Sequence, residues 1–192
     1  MTTHLDSGND APRLYKKATD NMRRYLSAVQ TSQWENATPC TDWNVRQLVN
    51  HFVSGSQNVK SIMGGTGPQD LGDNVLGDSP LAAFNAAVEG ALAELEVPGA
   101  MGTEVTTRRG EQPAGDYVLG QVQEMAVHGW DLAKATGQDT AIDPELVEVG
   151  LARVMANRER LRTAGVFGEA EATFADDADP QTRYLGILGR SA

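Results

Sequence analysis

Glu124 and His128 lie four residues apart in QVQEMAVHGWDLAKATG, residues 121–137, a stretch that is otherwise mostly apolar. On a helix, residues at this spacing share a face, so a carboxylate and an imidazole there can act on the same atom. Stepping about 100° per residue puts Val118, Val122, Met125, Gly129 and Leu132 in one arc, with Glu124 and His128 together on its flank. An unpaired carboxylate in such a half-buried place costs on the order of several kcal/mol. A proton, a cation or a hydrogen-bond network must therefore neutralise it.

A second helical pattern offers a partner. In VRQLVNHFVSGSQNVKSIM the apolar arc is Val45, Leu48, Val49, Phe52 and Met63, and His51 falls on its flank, on a stripe with Gly55, Asn58 and Ile62. Two imidazoles and one carboxylate from two helices make a three-donor set for a divalent cation. That set matches open zinc sites, which keep a fourth position for water or substrate, and also the facial triad of non-haem iron. Zinc is the leading choice, with nickel, iron or manganese as alternatives. The same residues also admit an ion that only locks two helices together, or a metal-free polar cluster with Glu124 protonated or paired. There is no H-E-x-x-H, and a di-iron bundle would need two Glu-x-x-His steps that the chain lacks. His4 lies in a polar terminus.

Several neighbours carry more than one reading. Asp131, one turn beyond His128, can accept the second ring N–H of a ligand histidine or bind an arginine of another helix. Cys40 can be a fourth ligand, a reactive thiol or a small buried hydrophobe, and no role is assigned to it. Arg108 and Arg109 flank a glycine turn, where they can hold a carboxylate-bearing electrophile or form a solvated charge pair. Trp43 and Val45 are placed to fix the entry of the helix that bears His51, and Trp130 reads as core.

The elements that must position these groups are helical. Apolar spacing predicts helices over residues 13–31, 45–63, 80–97, 117–136 and 143–162, with Asn44 and Gln47 as a capping box and Gly137 as a stop. Residues 64–79, rich in Gly, Pro and Asp, form a long loop that is either a lid or a crossover along a bundle. The β-branched alternation in MGTEVTTRRGEQPAGD admits a short strand or hairpin. In the C-terminal stretch, Tyr184, Leu185, Ile187 and Leu188 can dock on a core. The expected architecture is an all-α bundle forming a single domain over residues 1–192.

Composition narrows the function classes. A net charge of −10 argues against a nucleic-acid partner. One cysteine excludes an intramolecular disulfide, and the start lacks a secretory pattern, so the expected location is cytoplasmic. No apolar run approaches the ~20 residues of a membrane span. A homodimer is compatible with the sequence, without an interface signature.

TPCTDWNVRQLVNH (38–51), EMAVHGWDLAKATGQ (124–138) and FGEAEATFADDADPQTRYLGILGR (167–190) resemble, in the same order, the mycothiol-dependent maleylpyruvate isomerase N-terminal-domain family. This family belongs to the DinB-like superfamily of bundle metalloproteins. The resemblance implies a DinB-like four-helix bundle with down-up-up-down topology. It also implies a divalent metal, usually zinc, on His51, Glu124 and His128. The partners it implies are a low-molecular-weight thiol such as mycothiol, held as thiolate, and an electrophile that receives it. Transferase or isomerase chemistry follows from that, with metal-assisted hydrolysis as a competing use of the open position. The isomerase that names the family has a further C-terminal domain helping to build its site. A chain of 192 residues is expected to lack that domain, so the isomerase substrate is not carried over.

Overall fold

Helix α1, Ser7–Ser27, buries Leu14, Ala18, Met22, Tyr25 and Leu26, the face that its apolar spacing dictates. The computed structural model describes residues 7–156 and 178–190. α1 begins before residue 13, where the sequence pattern placed its start, and Pro12 lies inside it. Proline forgoes one intrahelical bond; packing holds the turn upstream of it. Ala11 is fully buried, and a Cβ on Gly115 would stand 3.0 Å from the Gly8 Cα. The first turn of α1 therefore lies directly on the first turn of α4, Ala114–Thr136. At its other end α1 stops short of residue 31, tightening into bonds from the Ala28 and Val29 amides to the Tyr25 and Leu26 carbonyls.

Helix α2, Val45–Met63, starts where the capping box predicts. Asn44 Oδ1 accepts from the Gln47 amide at 2.9 Å, and Gln47 Oε1 accepts from the Asn44 amide at 3.0 Å. Helix α3, Pro80–Leu95, has proline in its first turn. The hairpin is present: β1, Glu104–Thr107, pairs antiparallel with β2, Gly110–Pro113, across a turn in which Gly110 adopts φ +105°. The Ala114 amide donates to the Thr103 carbonyl, so the hairpin feeds straight into α4. That explains why α4 begins at Ala114 rather than at residue 117.

Pairs across the helices give the bundle its direction. α1 packs on α4 and α3, and α2 packs on α3 and α4. Gly8 meets Gly115 while Gly129 would meet Met22 and Tyr25, so α1 and α4 run parallel. Lys60 lies against Gly90, and Glu94 against Gly64, so α2 and α3 are parallel as well. His51 faces Glu124 while Gly55 faces Gln121, which makes α2 antiparallel to α4. The result is a down-up-up-down four-helix bundle. Parallel neighbours need a return connection, and residues 64–79 supply it as a crossover. Asn58 Oδ1 accepts from the Gln69 amide, and Asn50 Oδ1 from the Val75 amide, so the crossover runs back along α2 past His51.

The C-terminus of α4 is tied to the start of α2. Gly137 takes a left-handed conformation, φ +69°, and the Gln138 amide donates to the Ala133 carbonyl, closing a Schellman turn. Two more terminal carbonyls are satisfied from the α1–α2 connection: Asn36 Nδ2 donates to Ala135 O and Gln33 Nε2 to Thr136 O, each at 2.9 Å. The same segment receives the Val45 and Arg46 amides on its Asn36 and Trp34 carbonyls.

The chain groups into two compact units, Met1–Thr140 and Ala141–Ala192. In the second, α5, Pro144–Ala156, packs on α6, Pro180–Ile187. Asp143 Oδ1 accepts from the Glu145 amide and Asp179 Oδ1 caps α6. Tyr184 and Leu185 are buried; Ile187 and Leu188 are half-buried. The predicted end of the fifth helix near residue 162 lies outside the described residues, as does His4. Among the described residues no helix is long and apolar enough to cross a membrane.

Losing the cap of α2 has a measurable cost. Asn44→Ala is expected to destabilise the protein by about 1 kcal/mol, whereas Asn44→Ser keeps most of it, as read by urea denaturation.

Candidate metal centre

Three side chains from two helices converge in the first unit. His51 comes from the second turn of α2; Glu124 and His128 come from successive turns of α4. Each offers one ligand atom, and these atoms lie within 4.8 Å of one another. Among the described residues this is the group of histidine, cysteine and carboxylate side chains so placed. Glu124 Oε2 stands between the two imidazoles, 3.4 Å from His128 Nε2 and 3.7 Å from His51 Nε2. Both separations exceed the usual ~2.9 Å of an N–H···O bond. They match the edge of a tetrahedron with metal–ligand bonds of about 2.1 Å, which is about 3.4 Å. The residues present therefore fit a small divalent cation.

Asp131 resolves the choice left open by its spacing. It is fully buried, and His128 Nδ1 donates to its Oδ2 at 2.8 Å. A carboxylate accepts, so Nδ1 carries the proton and the lone pair of the neutral ring sits on Nε2, the atom facing Glu124. His128 is almost wholly buried, whereas the side chains of His51 and Glu124 are 36% and 50% exposed. The centre is thus closed around His128 and reached by solvent at His51 and Glu124.

Charge follows this asymmetry. Burial raises the Glu124 carboxyl, but the His128 and His51 imidazoles outweigh it and hold the group far below the usual carboxylate range. Burial pushes His128 down, while the Asp131 and Glu124 carboxylates outweigh that and raise it above 6.5. Glu124 and His128 thus face each other as a carboxyl held towards its charged form and an imidazole held towards its own.

An aromatic wall completes the site. Trp43 stacks on His51 with ring centroids 4.5 Å apart and 29° between planes, and lies 5.6 Å from His128. Phe52 meets His128 edge-on at 6.1 Å. Sequence reasoning gave Trp43 only the entry of α2; its place just before the cap, where a side chain folds back over the first turns, is the signal that could have found this contact. Trp130 is core as expected, with Lys134 over its ring. Cys40 lies in the turn before α2, where its carbonyl accepts from the Trp43 amide, and it is not among the grouped ligand atoms. Arg108 and Arg109 are exposed at the hairpin turn; Arg108 Nη2 donates to the Gln69 carbonyl and so fastens the crossover.

Comparison with known proteins bears on the family and the fold. The family model described as mycothiol maleylpyruvate isomerase N-terminal domain matches residues 15–133, a span that includes all three clustered residues. The uncharacterized proteins MT0763 and Rv0738 of Mycobacterium tuberculosis are each 31% identical over 178 residues, covering 92% of this chain and 96% of theirs. Crystal structures of the mycothiol-dependent maleylpyruvate isomerase and of a histidine-to-alanine mutant of it superpose with TM-scores of 0.62 and 0.61. They are 17% and 16% identical, covering 80% of this chain and 72% of theirs. At that identity they establish a shared fold.

The pH dependence of the metal-free protein follows from the raised His128. A group whose folded value lies above its unfolded one stabilises fully below the unfolded value, here 6.5, and that contribution is lost as pH rises through the folded value. The thermal midpoint of chelator-treated protein should accordingly fall as pH rises above about 6.5. In His128→Leu that decline should be shallower, as followed by circular dichroism.

Proposed function

Because the chain belongs to the mycothiol maleylpyruvate isomerase N-terminal domain family, we propose that it is a metal-dependent enzyme using a low-molecular-weight thiol, of S-transferase or isomerase type. His51, Glu124 and His128 hold the ion, most simply zinc. The observation that carries this reading is the pair of Nε2–carboxylate separations, 3.4 and 3.7 Å, which suit coordination better than direct hydrogen bonding. When bound, a divalent ion deprotonates a coordinated thiol at neutral pH and keeps it nucleophilic.

The protein's own groups have defined tasks in this reading. Asp131 holds the His128 ring in one tautomer and one orientation, so that Nε2 presents its lone pair without a search. Trp43 covers one face of His51 and restricts its rotation. Two neutral imidazoles and one carboxylate carry a single negative charge. A divalent cation there keeps one positive charge unmatched by its three donors, offset only in part by the Asp131 carboxylate behind His128, and an anionic donor such as a thiolate suits the exposed side. Mycothiol is the thiol expected from the family, and an electrophile is the second substrate. Water reaching the same side would make the centre a hydrolase instead.

Elemental analysis tests the centre. Protein stripped with chelator and reloaded with zinc should retain close to one ion per chain, and His128→Ala should retain little. Asp131→Asn should still bind zinc, with an affinity lowered about 10- to 100-fold. Retention of zinc by wild type without thiol consumption in the presence of mycothiol and electrophiles would favour an ion that only joins α2 to α4. Equal zinc retention in wild type and His128→Ala would refute the site.

A further inference from the structure

The two imidazoles of the centre are held unequally. His128 gives its second ring nitrogen to the buried Asp131 carboxylate at 2.8 Å. His51 has no such partner: its Nε2 faces Glu124, and among the described residues no group accepts from Nδ1. Trp43 stacks on the ring and leaves its edge free. A histidine that binds an ion through Nε2 carries its proton on Nδ1, and such a ring donates that proton to a carboxylate, a carbonyl or water. The donor on His51 is left for a group that reaches it from the exposed side.

The segment beside that ring is the crossover. Asn58 lies two turns beyond His51 on the same stripe of α2, and its Oδ1 accepts from the Gln69 amide at 2.8 Å. Arg108 Nη2 holds the Gln69 carbonyl from the hairpin, and Asn50, next to His51, accepts from the Val75 amide at 2.9 Å. Asn50 and Asn58 are about 12 Å apart along the helix axis, whereas the chain from Gln69 to Val75 reaches about 20 Å when extended. The strap between the pins is slack. Spread evenly over that span, it brings Asp73 within about 3 Å of the level of His51 along the axis and leaves Asp70 about 8 Å away. Asp73 is exposed and, among the described residues, makes no hydrogen bond or ion pair. Asp70 instead faces the amide of Gly72, which turns the strap with φ +69°. Charge sets when the strap closes. Glu124 and Asp131 oppose a further carboxylate beside His51; a divalent cation on the three donors offsets them and polarises the Nδ1–H bond.

We propose that residues 70–74 form a strap that closes on His51 when a cation fills the centre, with the Asp73 carboxylate accepting from Nδ1–H. Asp73 is then the positioning residue for His51, as Asp131 is for His128. This inference rests on the metal centre proposed above and not on the use of a thiol.

The test uses the full chain, metal-free and zinc-loaded. Amide hydrogen exchange across residues 70–74 should slow severalfold on zinc loading in wild type and not in Asp73→Ala. Zinc affinity, from competition with a chromophoric chelator, should fall about tenfold in Asp73→Ala and hold in Asp70→Ala. Asp73→Glu should keep it, because the slack admits a longer side chain. The metal-free thermal midpoint should be equal in wild type and Asp73→Ala, which separates lost binding from lost folding. Cobalt(II)-loaded Asp73→Ala should show the visible band intensities of wild type, since the carboxylate does not itself bind the ion. Exchange unaffected by zinc in wild type, or equal zinc affinity in wild type and Asp73→Ala, would overturn the strap and leave the metal centre standing. An equal loss in Asp70→Ala or Asp73→Glu, or cobalt bands of altered intensity, would do the same. No zinc retained by wild type would overturn both.

Discussion

The Asp131 carboxylate is fully buried, and the hydrogen bond it accepts from His128 Nδ1 is the interaction around which the centre is arranged. A carboxylate taken from water without partners is costly, and the ring turned towards it is one of the contacts that offset this cost. That fixes the His128 rotamer, and with it the direction of Nε2. Glu124, one turn earlier on α4, then has one imidazole in a defined place and needs the second to come from another helix. The residual freedom of the centre is therefore on the His51 side.

Connectivity decides how His51 arrives there. α1 and α4 run parallel, so the segment joining α1 to α2 passes the C-terminus of α4. It uses that passage to satisfy the Ala135 and Thr136 carbonyls with Asn36 and Gln33. α2 begins from the same segment and descends antiparallel to α4. A histidine two turns into α2 thus lies opposite a histidine two turns before the end of α4. The crossover to α3 is long because α2 and α3 are parallel, and it is pinned by Asn50 and Asn58 on either side of His51 in the sequence. Helix ends that needed partners and a connection that needed a path both serve to hold the second imidazole.

The sequence carried what depends on local spacing. The capping box at Asn44, the stop at Gly137 and the apolar arcs of α2 and α4 are all visible as periodicity and end signals, because each is decided within a turn or two of helix. The three clustered residues were legible for the same reason: each sits on the flank of an arc whose core direction is known. What depends on distant contacts was not. α1 extends upstream of Pro12 because Gly8 lies on Gly115, a contact between segments more than 100 residues apart. The direction of the bundle came from family resemblance rather than periodicity, which is silent on topology. Asp131 had two equal options until a buried partner selected one, and the ring of Trp43 reaches His51 through a fold-back that only a capping motif hints at.

The asymmetry of the two imidazoles bears on how any ligand is received. His128 is locked by a buried carboxylate, and a change in its position would have to move α4. His51 is held by the face of Trp43, a contact without a directional hydrogen bond, and a third of its side chain is exposed. Stacking resists tilt strongly and sliding within the plane weakly. An incoming group would be accommodated by small shifts of His51 and of the half-exposed Glu124 carboxylate, while His128 keeps its place. The open side of the centre therefore lies where the protein yields most cheaply, at His51 and Glu124, and the fixed reference against which a ligand is placed is His128, backed by Asp131.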